Sequence, residues 1–338
     1  MKYLTITVPC YNSQDYLDRC VKSLLTGGQD VEILLIDDGS RDRTGAMADA
    51  YAEAYPDIVR VVHKENGGHG SGVNKGLELA TGRYFKVVDS DDWLDPTALG
   101  FLLEAIRRSG REEPDLYICN YVYDHLDQGR STVMDYRNLF PADRVCGWQD
   151  LGHFRPSQYL IMHAQVFRTE VLRRSGVQLP EHTFYVDNIF ANEPLPWVRT
   201  LRYLDLDLYH YYLGRSDQSV NEQVLMRRID QQIYVTEYVS FCTDLEAVRR
   251  TSPKLERYLV RNISIMMAIS DIHLLLIHTA EADEKRRQLW NGIRRRNPAL
   301  YRRLRYASLC GWTNLPGPLG DWLTLNGYRL AKRVYQFQ

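Results

Sequence analysis

The chain has 338 residues, a formal net charge of −1, and 44% hydrophobic and 25% charged residues. These are the values of a folded globular protein, and they argue against a disordered chain or one that binds nucleic acid through bulk charge. The length fits one large domain with an appendage, or two domains.

Met1 to Val8 lacks the charged and apolar regions of a secretory leader. The most apolar stretch, Ile263 to Ile277, contains Asp271 and His273 and falls short of the ~18–20 apolar residues of a spanning helix. Cys10, Cys20, Cys119, Cys146, Cys242 and Cys310 form no CxxC pair, so no zinc or dithiol motif is expected. Scattered thiols suit a reducing, cytoplasmic setting.

In chain order, Tyr3 to Val8 reads as a buried strand, and Asn12 or Ser13 is placed to cap the next helix. Tyr16, Leu17, Cys20, Val21, Leu24 and Leu25 recur at helical spacing until Gly27 and Gly28. Val31 to Ile36 is a second strand, followed by a helix from about Asp42 to Ala54. Ile58 to Val62 is a third strand, and a glycine-rich turn from Asn66 to Gly72 leads into a helix through Leu79. Tyr84 to Val88 is a fourth strand, with another helix after Pro96. Leu116 to Tyr123 is expected to be a strand, Asp124 to Arg130 a turn, and Leu201 to Tyr212 an edge strand. From about Asn221 the pattern is helical to the end.

Alternating strands and helices with nearly continuous apolar strands imply an α/β fold with a mostly parallel sheet covered on both faces. Ligands in such folds bind at the carboxyl ends of strands. Three polar clusters fall there: Pro9-Cys10-Tyr11-Asn12, Asp37-Asp38-Gly39-Ser40 and Asp89-Ser90-Asp91-Asp92. Three carboxylates within four residues repel one another unless a cation neutralises them, and oxygen ligands favour Mg²⁺ or Mn²⁺. The competing reading is a solvated loop with helix-capping aspartates. For Asp37 to Ser40 it is turn chemistry plus a helix cap. For Tyr11 and Asn12 it is core packing and a cap.

Together these segments resemble the inverting glycosyltransferases of family 2, which have the GT-A fold. That family typically reads V-x-x-Y-N, V-D-D-G-S-x-D-x-T, N-x-G and D-x-D-D. This chain has Val8-Pro9-Cys10-Tyr11-Asn12, then Ile36-Asp37-Asp38-Gly39-Ser40-Arg41-Asp42-Arg43-Thr44, then Asn74-Lys75-Gly76 and Asp89-Ser90-Asp91-Asp92. The resemblance is specific over residues 3 to 110, moderate to about 220 and absent beyond. It implies a nucleotide-sugar donor, a UDP-sugar first, with Mn²⁺ or Mg²⁺ as cofactor. It implies that Asp38 binds the base, that Tyr11 lines the base pocket, that Pro9 and Asn12 bind the nucleotide-sugar, and that Asp89 contacts the ribose side. Asn74 and Ser90 would also touch the donor, and Asp91 with Asp92 would hold the metal. Gly72-Val73-Asn74 stands where the family often has Ala-Arg-Asn, so a basic side chain is missing, for which His69 or Lys75 is a substitute.

An inverting transfer needs a base to deprotonate the acceptor. The family usually carries Glu-Asp before an aromatic, and Phe184-Tyr185-Val186-Asp187-Asn188-Ile189-Phe190 fits with valine in place of the glutamate. Asp187 is therefore the candidate base, its basicity to be raised by burial; the competing role is a helix N-cap. Tyr209 to Ser219 resembles the family's Y-x-Y-R-x-x-x-x-S segment, from which Arg215, His210 or Ser219 would close over the diphosphate. His163, in Ile161-Met162-His163-Ala164, is expected to be structural.

The expected layout is a catalytic domain over residues 1–220 and a helical region over 221–338. Residues 285–338 are rich in arginine and aromatics, which suits a membrane surface or a packing and oligomer face. The resulting expectation is an enzyme that moves a sugar to a hydroxyl of a saccharide or lipid-linked acceptor, in cell-surface polysaccharide or glycolipid synthesis. It would work in the cytoplasm, at the inner face of the membrane, without nucleic acid. A catalytically degenerate sugar-nucleotide binder stays open through Val73 and Val186. A nucleotidyltransferase is disfavoured because no glycine-rich basic loop follows the first strand, and a dehydrogenase because no GxGxxG does.

Overall fold

Seven consecutive buried residues, Leu4–Cys10, form β1, and seven more, Val31–Asp37, form β2. They pair in parallel from Leu4 opposite Val31 to Cys10 opposite Asp37. Burial on both faces explains why the runs are continuously apolar rather than alternating. Between them lies α1 (Leu17–Leu25), and after them α2 (Thr44–Ala54), β3 (Val59–His63), α3 (His69–Leu79) and β4 (Tyr84–Val87). A two-residue β5 (Trp93–Leu94) precedes α4 (Pro96–Arg108), whose first turn is capped by the Asp95 carboxylate on the Ala98 N–H. The structure, a computed structural model, describes residues 2–110, 112–156, 158–214 and 222–335.

The sheet continues through β6 (Leu116–His125), β7 (Arg130–Met134), β8 (Val145–Cys146), β9 (Gln165–Arg168) and β10 (Leu201–Leu213). Its order is β3-β2-β1-β4-β9-β6-β10-β5, with β7 on β6 and β8 on β10. Parallel pairing is confined to β3-β2-β1-β4 and to β10 with β6; the remaining pairs are antiparallel. The sheet is therefore mixed, with the longest ladders parallel as expected and shorter antiparallel pairs added around them. β10 is no edge strand: β6 flanks it on one side, and β5 and β8 pair with it on the other.

The chain runs β1, β2, β3 outward and then returns to place β4 on the far side of β1. That reversal opens a crevice at the carboxyl ends of β1 and β4, the usual ligand position in such sheets. The Ser13 and Ser90 hydroxyls meet across it at 2.6 Å.

Two local expectations fail for a tertiary reason. Gly70 and Gly72 lie inside α3 rather than in a turn before it. A Cβ on Gly72 would sit 2.9 Å from the Pro9 ring, and one on Gly76 would collide with the Thr7 hydroxyl. Glycine is needed there for α3 to lie against β1, a requirement that local propensity does not express. The other failure is the cap of α1, which starts at Leu17 without a side-chain cap. Asn12 instead has φ +50° and accepts the Arg41 N–H at 2.8 Å through Oδ1.

α5 (Thr169–Ser175) and α6 (Asp187–Asn192) complete the first of two compact units, residues 1–214. The second, residues 215–338, is helical throughout its described part. It comprises α7 (Glu222–Arg227), α8 (Ile229–Phe241), α9 (Leu245–Thr251), α10 (Pro253–Ile277), α11 (Ala280–Arg296), α12 (Pro298–Ala307), α13 (Cys310–Thr313) and α14 (Gly317–Tyr335). α10 is the core of this unit. Contrary to the sequence expectation it is long and apolar enough to cross a membrane, but 67% of its most apolar window is buried inside the fold. The fully buried Asp271 of α10 accepts from the Trp290 indole N–H at 2.9 Å and the Thr313 hydroxyl at 2.8 Å, with the Arg286 Nε 3.6 Å away.

Candidate active site

The acidic run after β4 divides by environment. Asp92 is fully buried; its Oδ2 accepts the Tyr209 hydroxyl at 2.6 Å and its Oδ1 the Tyr212 backbone N–H at 2.8 Å. Tyr209 in turn accepts the Asp89 N–H at 3.1 Å, so one phenol fixes both ends of the run. Burial pushes the Asp92 carboxyl well above the usual carboxylate range, and the charges of Asp91 and Asp89 add to the rise. Asp89, a quarter exposed, takes His69 Nε2 at 2.8 Å on one oxygen and has His163 Nε2 3.5 Å from the other. Burial works against it, yet the two imidazoles hold it well below the usual range.

His163 lies at the bottom of this group, only 7% exposed at its side chain. Its ring stacks on Tyr211 at 4.7 Å and meets Tyr209 edge-on at 4.6 Å. Neither ring nitrogen has a hydrogen-bond partner. A buried imidazole without a hydrogen bond, with Asp89 3.5 Å from Nε2 and Asp92 nearby, fits a cation ligand. Asp89, Asp92 and His163 offer ligand atoms all within 4.8 Å of one another, and they are the group among the described residues that could hold a metal ion. Two carboxylates and an imidazole suit Mn²⁺ better than an oxygen-only set would. The expected pair was Asp91 and Asp92; the structure gathers Asp92 with Asp89 and with a histidine that had been expected to be structural. Asp91 is half-buried, and its carbonyl accepts the Arg19 guanidinium at 2.7 Å.

Lys86 supports this arrangement from inside the sheet. It is fully buried in β4, donates from Nζ to the His163 carbonyl at 2.7 Å, and burial brings its pKa down to about 8. Neither Lys86 nor Tyr209 was identified from sequence.

Asp187 is the first residue of α6 and makes no capping bond; Val186 occupies the cap position. Tyr185 before it adopts φ +66°, a left-handed conformation unusual for tyrosine, which turns the chain into the helix. Burial raises the Asp187 carboxyl above the usual range, against the pull of His163 and His69. His69, at the start of α3, is lowered by burial, but the charge of Asp89 and its hydrogen bond, with Asp187 and Asp91 beyond, raise it overall. Asp187 therefore shares one electrostatic environment with the acidic run.

Several expected contact residues are committed elsewhere. The buried Asp38 accepts from Lys64 Nζ at 2.6 Å and the Gly67 N–H at 2.9 Å on Oδ1, and from the Gly68 N–H at 2.7 Å on Oδ2, so it latches the start of α3. Asn74 uses both ends of its amide on the Leu179 backbone, at 2.8 and 2.9 Å. Pro9 is buried beneath Gly72. Lys75 pairs with Glu78. His210 is held between Asp124 at 2.7 Å and the Trp93 ring, and cannot close over a diphosphate without leaving the strand. Tyr11 is 49% exposed at the mouth of the crevice, with Ser90 half-buried beside Ser13. Arg215 and Ser219 lie outside the described residues.

The chain is similar in sequence and in fold to known proteins. Residues 5–169 match the family model described as glycosyl transferase family 2. The uncharacterized glycosyltransferase MG025 homolog of Mycoplasma pneumoniae is 37% identical over 224 residues, 64% of this chain and 70% of that protein. This chain belongs to glycosyl transferase family 2. The putative glycosyltransferase EpsH of Bacillus subtilis is 26% identical over 78% of this chain and 76% of its own length. Among solved structures, S. aureus TarS 1–349 in complex with UDP-GlcNAc covers 99% of this chain and 92% of that one, at TM-score 0.65 and 18% identity. The mannosyltransferase PcManGT of Pyrobaculum calidifontis, in complex with GDP-Man and Mn²⁺, covers 98% and 86%, at TM-score 0.52 and 16% identity. These likenesses establish the GT-A type of fold, here a mixed sheet with a helical C-terminal region.

Proposed function

We propose that the chain is an inverting, metal-dependent glycosyltransferase that moves a sugar from a nucleotide-sugar to an acceptor hydroxyl. The observation that carries this reading is the gathering of Asp89, Asp92 and His163 at the β1–β4 crevice, with Asp187 in the same electrostatic environment. The acceptor oxygen attacks the anomeric carbon, its proton passes to the Asp187 carboxylate, and the bond to the diphosphate breaks with the electron pair leaving on the nucleotide. A carboxylate raised by burial is a better base near neutral pH than an exposed one. Asp89, Asp92 and His163 would hold a divalent cation, Mn²⁺ or Mg²⁺, which when bound neutralises charge on the leaving diphosphate. Tyr11 and Ser90 face the donor, while Asp38, Asn12, Pro9 and Asn74 shape its pocket from behind. An acceptor that is a saccharide or is lipid-linked places the reaction in cell-surface polysaccharide or glycolipid synthesis, on the cytoplasmic side of a membrane.

The test is nucleotide release from a panel of UDP-, GDP- and dTDP-sugars with Mn²⁺ or with EDTA. The panel begins with UDP-GlcNAc and GDP-mannose, the donors present in the two similar structures. Mn²⁺-dependent release from one donor class, lost in Asp92→Asn, is expected. Silence across the panel, together with no Mn²⁺-dependent nucleotide binding by calorimetry, contradicts the reading and favours a degenerate binder.

A further inference from the structure

The C-terminal helices keep an apolar stripe facing solvent. In α14, Gly320 and Thr324 turn inward, whereas Leu319, Trp322, Leu323 and Leu330 are 71, 60, 47 and 64% exposed. The intervals of three, four and eleven residues put these four side chains on one face of the helix. Trp312 of α13 and Leu309 just before it are 72 and 63% exposed. Seven of the fifteen large hydrophobic residues that are exposed among the described residues fall between positions 306 and 330. Single exposed apolar residues need no explanation, but a concentration of this kind does.

The sequence around the stripe is rich in basic residues. Residues 285–338 contain twelve Lys and Arg and a single acidic residue, Asp321, in a chain whose net charge is −1. Asp321 accepts Arg286 at 2.9 Å, and Lys285, Arg287, Arg303 and Lys332 have acidic partners in Asp230, Glu284, Glu256 and Glu222. Arg302 and Arg329 are exposed, and the Arg305 guanidinium lies 5.7 Å from the Tyr306 ring, itself open to solvent.

We propose that this face docks peripherally on an anionic lipid bilayer. Trp312, Trp322 and the leucines enter the boundary between headgroups and acyl chains, and the arginines contact lipid phosphates. Tryptophan and arginine around an apolar helix stripe suit that boundary, where the ring sits at headgroup level and the cation meets negative surface potential. A second copy of the chain is the poorer occupant. A two-fold contact would bring the exposed Arg302 and Arg329 of both copies together, whereas the cores of protein interfaces are depleted in charge. The proposal goes beyond the transfer reading and does not depend on it, since binding to vesicles requires no donor and no turnover.

The full chain is sedimented with vesicles of phosphatidylglycerol in phosphatidylcholine, and with vesicles of phosphatidylcholine alone. Binding is expected to be roughly tenfold stronger to the anionic vesicles and to fall with salt. Trp322→Ser with Leu319→Ser should weaken it roughly tenfold with unchanged circular dichroism. Arg302→Glu with Arg329→Glu, which leaves the apolar stripe intact, should weaken it several-fold and flatten the salt dependence. Wild-type partition equal on both vesicle types would overturn the proposal, as would partition unaffected by either pair of substitutions. So would a dimer in solution that binds no vesicles and becomes monomeric in Trp322→Ser with Leu319→Ser.

Discussion

The two units each bury an aspartate completely, and they treat it in opposite ways. Asp271 in the helical unit has the Arg286 guanidinium 3.6 Å away, an indole N–H and a hydroxyl, all from its own unit. Asp92 in the sheet unit has a phenol and a backbone N–H, two further carboxylates nearby, and a histidine with both nitrogens unpartnered. The first cluster is compensated internally and serves the fold. The second gathers three carboxylates, Asp89, Asp91 and Asp92, about two imidazoles, an arrangement that is more stable when a further cation enters it. Burial alone therefore does not mark a functional carboxylate; what distinguishes one is the absence of compensation.

The sharpest way to break this contrast is to remove a charge from each cluster. Asp92→Asn should lower nucleotide release by roughly 10²–10³-fold, the several kcal/mol that a bound cation contributes to a developing anion. Its thermal stability should fall by only about 1 kcal/mol, because one of the two hydrogen bonds accepted by Asp92 is lost while its repulsion with Asp89 and Asp91 is relieved. Arg286→Met should do the reverse, costing about 3–5 kcal/mol of stability by stranding Asp271 while leaving release per folded molecule unchanged. Chemical denaturation and single-donor kinetics on both variants separate the outcomes. If both variants lose stability alike, the contrast is wrong.

A smaller effect is expected at Tyr209. Tyr209→Phe leaves the ring against His163 but removes the hydroxyl that ties Asp92 to the Asp89 backbone. Mn²⁺ affinity, measured by calorimetry, should weaken about tenfold, as is usual when a group orienting a ligand is lost.

The most specific effect is in pH dependence. Burial pushes Asp271 up to about 7, against the opposing pull of Arg286, Trp290 and Thr313. A carboxyl raised above its unfolded value contributes stability that is complete below the unfolded pKa of about 3.9 and is lost as pH climbs toward the folded value. The Tm of the wild-type chain should therefore fall relative to Asp271→Asn between about pH 4 and pH 7, by an amount on the order of a few kcal/mol in stability. Parallel pH profiles for the two proteins would show that Asp271 is ionised throughout, and the contrast with Asp92 would then be greater still.

Much of the first hundred residues was legible from local pattern. The runs Leu4–Cys10 and Val31–Asp37 are apolar throughout because both faces are covered, and the polar residues that follow them mark the ligand edge. The acidic run after β4 was legible too, since carboxylates so closely spaced need an explanation wherever they lie. What escaped was non-local. His163 stands in an apolar segment where a lone histidine is more often packed than functional, and its significance comes from β10, which supplies Tyr209 and Tyr211. Those tyrosines open the segment that resembles the family's Y-x-Y-R pattern, but only the fold brings their rings to His163 and a hydroxyl to Asp92. Asp38 and Asn74 lie at positions matching the family pattern, yet their side chains are spent on the Gly67-Gly68 turn and on Leu179. Motif spacing reports position, and hydrogen bonding decides what a side chain at that position is free to do.

The most direct test of the central claim is calorimetric titration of Mn²⁺ into the wild-type chain and into His163→Ala, each with UDP present. The account predicts a single site in the wild type and an affinity lower by about tenfold or more in the variant. Equal affinity in the two proteins would contradict it, and would place any metal on the aspartates without the histidine.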